Sequence, residues 1–100
     1  MIKVNITKDK SDYKEITISG HALYDEYGKD IVCSAVSSIA TTTVNGILSL
    51  NENSLSYEVS DNGLKITVNS NDNITKTLIT NMINLLKSLE EQYPTNVKVK

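Results

Sequence analysis

His21 and Cys33 are the only imidazole and the only thiol in the chain, twelve positions apart. Imidazole carries protons near neutral pH, and the thiolate is a strong side-chain nucleophile. Brought together, the two could open an acyl bond: the sulfur attacks and the ring moves the proton. Cys33 is the third residue of a predicted helix that Asp30 would cap. The positive end of a helix dipole stabilises an anion there, which favours a thiolate. A second reading stands beside this one. Ile31-Val32 before the cysteine and Ala35-Val36 after it also suit a thiol that packs as a small apolar residue. His21 likewise has two readings. Gly20 would let the chain turn and set the ring at the end of a strand, or the ring is simply solvated in a loop.

The neighbours extend both readings. Asp30 accepts N–H groups as a cap or orients His21 as a third member of the site, and the same oxygens cannot fully do both. Ser37 follows Cys33 by one helical turn on the same face. Its hydroxyl would reach the sulfur or substrate, or bond back to the helix. The N–H groups of Cys33 and Ser34 are candidates to hold an oxyanion. Between the two principal residues lie Tyr24, Asp25, Glu26, Tyr27 and Gly28. These read as a loop with apolar and acidic groups for a substrate peptide and a glycine hinge, or as ordinary surface. One Cys and one His fall short of the four ligands of a structural zinc site. No phosphate-cradling or dinucleotide glycine motif occurs. The expectation is no metal and no cofactor.

The elements that must position these residues follow from periodicity. Ile2, Val4 and Ile6 alternate with polar residues, as do Ile16 and Ile18 within Lys14–Ser19, which predicts a hairpin. A helix is expected after Asp30, with Val32, Ala35 or Val36, Ile39, Ala40, Thr43, Val44 and Ile47 inward. It is rich in β-branched residues, so burial must hold it. Leu48–Asn53 reads as a connector. Leu55, Tyr57 and Val59, then Leu64, Ile66 and Val68, alternate around Asn62-Gly63, a strong turn signal. Ile74, Leu78, Ile79, Met82, Leu85, Leu86, Leu89 and Tyr93 form the stripe of a second helix that Pro94 ends. Val97 and Val99 fit a short last strand at an edge. The order β-β-α-β-β-α, with that final strand, predicts an α+β fold: a mostly antiparallel sheet of two hairpins with two helices on one face.

One hundred residues suit a single domain over 1–100. The chain has no Phe or Trp, so its core is thin and dimerisation would help it. Net charge is −2 and all ten basic residues are scattered Lys. That excludes a clustered phosphate-binding surface and favours a peptide partner over nucleic acid. A single cysteine makes no internal disulfide. The alternating N-terminus lacks the apolar run of a signal peptide, and no segment approaches the ~18 apolar residues of a membrane span. The expected location is the cytoplasm, with no membrane partner.

The blocks Gly20-His21-Ala22, Gly28 and Asp30-Ile31-Val32-Cys33-Ser34-Ala35-Val36-Ser37 resemble the signature of the Prp family, ribosomal-processing cysteine proteases of Firmicutes and related bacteria. The resemblance covers the whole chain, including the acidic Leu-rich segment Leu85–Tyr93. It implies a Cys33–His21 dyad with Gly20, Asp30 and Ser37 at motif positions. It also implies a flexible loop over Ala22–Lys29 and a homodimer. The implied activity is removal of an N-terminal extension, with aromatic residues before the scissile bond, from a large-subunit ribosomal protein. Tyr24 and Tyr27 would agree with such a substrate. The rival classes are a non-catalytic module that binds a ribosome-assembly partner, and a redox sensor, which the lack of a resolving cysteine disfavours.

Overall fold

The computed structural model describes residues 1–20 and 29–100. Its elements are β1 (Ile2–Asp9), β2 (Asp12–Ser19), α1 (Lys29–Leu50), β3 (Leu55–Ser60), β4 (Gly63–Val68), α2 (Asn73–Gln92) and β5 (Val97–Val99). The strands form one sheet in the order β3-β4-β2-β1-β5. Every pairing is antiparallel except β1 with β5. The α+β class, both hairpins and the edge position of the last strand agree with the sequence reading.

Strand periodicity sorts the side chains. Cross-strand partners share a face, so the register builds continuous apolar rows. One row runs Val59–Leu64–Ile18–Val4–Val99 and another Tyr57–Ile66–Ile16–Ile6. Both helices pack on this face. The alternate residues, including Lys3, Thr17 and Lys65, make the other face polar. The core joins Val4, Ile16, Ile18 and Ile66 of the sheet to Val32, Val36, Ala40, Val44 and Ile47 of α1 and to Ile79, Met82, Ile83 and Leu86 of α2.

Several details depart from expectation. Tyr13 is buried, although period-two counting from Ile16 puts it on the polar face. Thr7 pairs with Glu15 and Lys8 with Tyr13, so Lys14 is an extra residue, a β-bulge that switches Tyr13 inward. The Tyr13 hydroxyl then meets Thr80 Oγ1 at 2.6 Å. The second turn is Asp61-Asn62, since Ser60 pairs with Gly63. Gly63 instead opens β4 at φ 132°, where an added Cβ would collide with the Ile18 carbonyl oxygen. Helix α1 continues to Leu50, so half of the expected connector is helix. Of the α2 stripe, Ile74, Leu85 and Tyr93 are exposed and Ile83 is buried in their stead.

One premise of the membrane reading, that no segment approaches a span, needs correcting. Ile31–Leu50 carries no charged residue, and its mean hydropathy of 1.5 makes it long and apolar enough to cross a membrane. In this fold it serves as a core helix. Val32, Val36, Ala40, Val44 and Ile47 recur at three and four, and all are buried. Burial of that stripe answers the poor intrinsic helix propensity of Val, Ile and Thr.

Candidate active site

Cys33 sits near the opening of α1. The helix begins at Lys29, so Cys33 is its fifth residue rather than its third. Asp30 is its second residue rather than its cap. An acidic residue in a first turn still complements the dipole. In regular helical geometry the N–H groups of Cys33 and Ser34 lie on the i→i−4 ladder, facing the carbonyls of Lys29 and Asp30.

Cys33 is half-buried and lines a depression of about 50 Å³ with Met1, Ile2, Gly20, Val32, Thr95 and Asn96. Three chain segments build its wall. The Ile2 N–H donates to the Asn96 carbonyl at 2.8 Å, which holds the start of β1 against the approach to β5. Gly20 follows the end of β2 at φ 82°, and a Cβ there would strike the Met1 carbonyl oxygen. Only glycine enters this conformation without strain and fits beneath that carbonyl. The backbone at Gly20 thus turns as expected, while the His21 ring it was expected to place lies outside the described residues.

Two residues of the motif meet at one end of the sheet. Gly20, immediately before His21 in the chain, shares a depression with Cys33. Ser37 lies one turn further along α1, exposed, on the rim of a second depression. His21, Tyr24, Tyr27 and Gly28 lie outside the described residues, as does the side chain of Asp30. Among the described residues no group of His, Cys, Asp and Glu could hold a metal ion.

Met1, Thr95 and Asn96 were not singled out from the sequence. Their signal was indirect: the Val97-Val99 alternation marks β5, and its parallel pairing with β1 (Ile2 opposite Val97) draws the preceding residues to the cysteine. Tyr57 and Val59 were read only as strand alternation, yet both line the second depression.

A lone thiol on the first turns of a helix, beside the strand end that leads into the lone imidazole, is an arrangement found in thiol-dependent hydrolases. Comparison with known proteins narrows the class. Residues 1–98 match the family model of cysteine protease Prp, and the chain belongs to that family of ribosomal-processing cysteine proteases. It is 31% identical over 103 residues to the ribosomal processing cysteine protease Prp of Staphylococcus aureus, covering 99% of this chain and 97% of the relative. The S. aureus protease solved with a substrate peptide superposes with a TM-score of 0.89 at 29% identity, over 100% of this chain and 98% of that one. The same protease with a covalently linked product peptide gives 0.85 at 31% identity, with the same coverage. SMU.848 from Streptococcus mutans gives 0.91 at 29% identity, over 100% and 92%.

Proposed function

We propose that this chain cuts a short N-terminal extension from a large-subunit ribosomal protein, with Cys33 as nucleophile and His21 as general acid and base. The observation that carries the reading is the shared depression of Cys33 and Gly20, because Gly20 leads directly into His21. Imidazole takes the thiol proton as sulfur bonds to the peptide carbonyl carbon. The C–N bond then breaks, and the imidazolium returns that proton to the leaving amine. Water, deprotonated by the same ring, releases the acyl group from sulfur as a carboxylate and restores the thiol. A covalently linked product peptide on the S. aureus relative fits an acyl-enzyme route. In this reading Asp30 orients His21 and Ser37 contacts the substrate. Tyr24, Tyr27 and the Gly28 hinge belong to a loop that admits it. The family reading also makes the enzyme a cytoplasmic homodimer.

The test is intact-mass analysis of the ribosomal protein after incubation with the enzyme. Wild type should shorten it at one junction near its N-terminus. Cys33→Ala and His21→Ala should each lower the rate at least 1,000-fold while keeping the wild-type circular dichroism spectrum. Undiminished cleavage by either variant would remove the dyad.

A further inference from the structure

Two asparagines precede a glycine, in Asn45-Gly46 and Asn62-Gly63. Glycine has no Cβ to screen its own backbone nitrogen, so in each pair that nitrogen can attack the asparagine side-chain carbonyl carbon, Cγ. The residue types are the same and only the backbone differs. Asn45-Gly46 lies inside α1. The helix ladder commits the Gly46 N–H to the Thr42 carbonyl, and the Ser49 hydroxyl donates to the Asn45 carbonyl at 2.7 Å. Both contacts clamp the peptide plane between Asn45 and Gly46, which keeps its nitrogen from swinging over Cγ. Asn62-Gly63 instead joins the turn to β4. Every residue from Ser56 to Asn62 is exposed, and β3 is an edge strand. The Asn62 N–H donates to Ser60 Oγ at 3.2 Å, while no hydrogen bond among the described residues holds the Asn62 side-chain amide. Few buried contacts secure this hairpin tip, so it opens locally at low cost. Gly63 is buried, and its nitrogen becomes available when the tip opens.

We propose that Asn62 is a site of spontaneous deamidation in the folded protein and that Asn45 is protected. Hydroxide takes the Gly63 N–H proton, the nitrogen bonds to Asn62 Cγ, and the Cγ–Nδ2 bond breaks with release of ammonia. Water then opens the resulting succinimide ring. Attack at Cγ leaves aspartate. Attack at the main-chain carbonyl carbon leaves isoaspartate, whose backbone runs through Cγ and is one carbon longer. That carbon enters where the chain has no slack. Gly63 pairs with Ser60 on one side and with Ser19 on the other, and a Cβ on it would collide with the Ile18 carbonyl oxygen. Isoaspartate therefore loosens β4 from the end of β2 that leads into Gly20, whereas aspartate adds only an exposed charge next to Asp61.

The experiment incubates the full chain at mildly alkaline pH, folded in buffer and unfolded in urea. Peptide mapping by mass spectrometry, with aspartate and isoaspartate resolved, follows both sites. In the folded chain Asn62 should convert at least tenfold faster than Asn45, and in urea the two rates should lie within threefold. Asn62→Gln should keep the wild-type Tm and remove the conversion at the turn. Asn62→Asp should melt within 3 °C of wild type, while the purified isoaspartate form should melt clearly below Asn62→Asp. An Asn62 left intact while the urea sample converts, a folded rate ratio no larger than the ratio in urea, or aspartate as the sole product would each overturn the assignment. An isoaspartate form as stable as Asn62→Asp would overturn the loosening of β4.

Discussion

At the scale of single residues, one glycine governs the site's shape. Gly20 holds φ 82° beneath the Met1 carbonyl, which a Cβ would displace. Gly20→Ala should therefore cost about 2 kcal/mol, or roughly 10 °C in Tm, and should shift the depression beside Cys33. Thermal unfolding with parallel peptide-cleavage rates checks both effects, and the loss of rate should exceed that of a variant equally destabilised elsewhere. Gly46 is the contrasting case. It lies mid-helix in α1 with open space where its Cβ would be. Gly46→Ala should raise Tm by about 5 °C with cleavage unchanged. The sequence made Gly20 and Cys33 legible because a glycine at a strand end and a thiol at a helix start have local causes. Thr95 and Asn96 were not legible as site residues, since a parallel strand pairing more than ninety positions from Ile2 puts them there.

At the scale of elements, caps and side-chain clips fix how the helices leave the sheet. Asp72 caps α2: its Oδ1 accepts the Thr75 N–H at 2.8 Å, and its Oδ2 accepts the Ser70 hydroxyl at 3.0 Å. The Thr75 N–H, and secondarily Ser70, hold the carboxyl below its ordinary pKa. A carboxyl depressed in the folded state stabilises the fold above its unfolded pKa of about 3.9. That contribution is lost as pH falls through the lower folded value. Asp72→Ala should lower Tm by a few degrees at pH 7, and the gap from wild type should close below about pH 4. Asp72→Asn should keep most of the cap at both pH values. Next to it, the Asn71 side chain accepts the Tyr13 N–H and donates to the Tyr13 carbonyl, both at 2.9 Å, tying the first hairpin to the entry of α2. Alternation and stripes gave the elements themselves. The bulge at Lys14 and the Asp61-Asn62 turn were hidden because each depends on a partner strand: one on β1 register, the other on the close approach of Gly63 to Ile18.

At the scale of the whole molecule, the sheet brings three distant segments, at residues 1–2, 20 and 95–96, around one thiol at the opening of the central helix. The same sheet extends past the helices at β3, leaving a groove that starts one turn from that thiol. The polar face needs no cover, and its Lys65–Glu15 pair at 3.5 Å is exposed and adds little stability. The architecture was readable in advance because hairpins and amphipathic helices report their own inward faces. The uncovered end was not, since coverage depends on where α1 and α2 settle on the sheet. The central claim is that the sulfur of Cys33 takes the acyl group while the neighbouring imidazole moves its proton. Acid-quenched mass spectrometry of the enzyme mixed with the ribosomal protein tests it most directly. A transient adduct with the mass of the acyl extension should map to Cys33 and decay as product appears, and His21→Ala should abolish it. Cleavage at the full rate with Cys33 never modified, or an adduct mapping to another residue, would contradict the account.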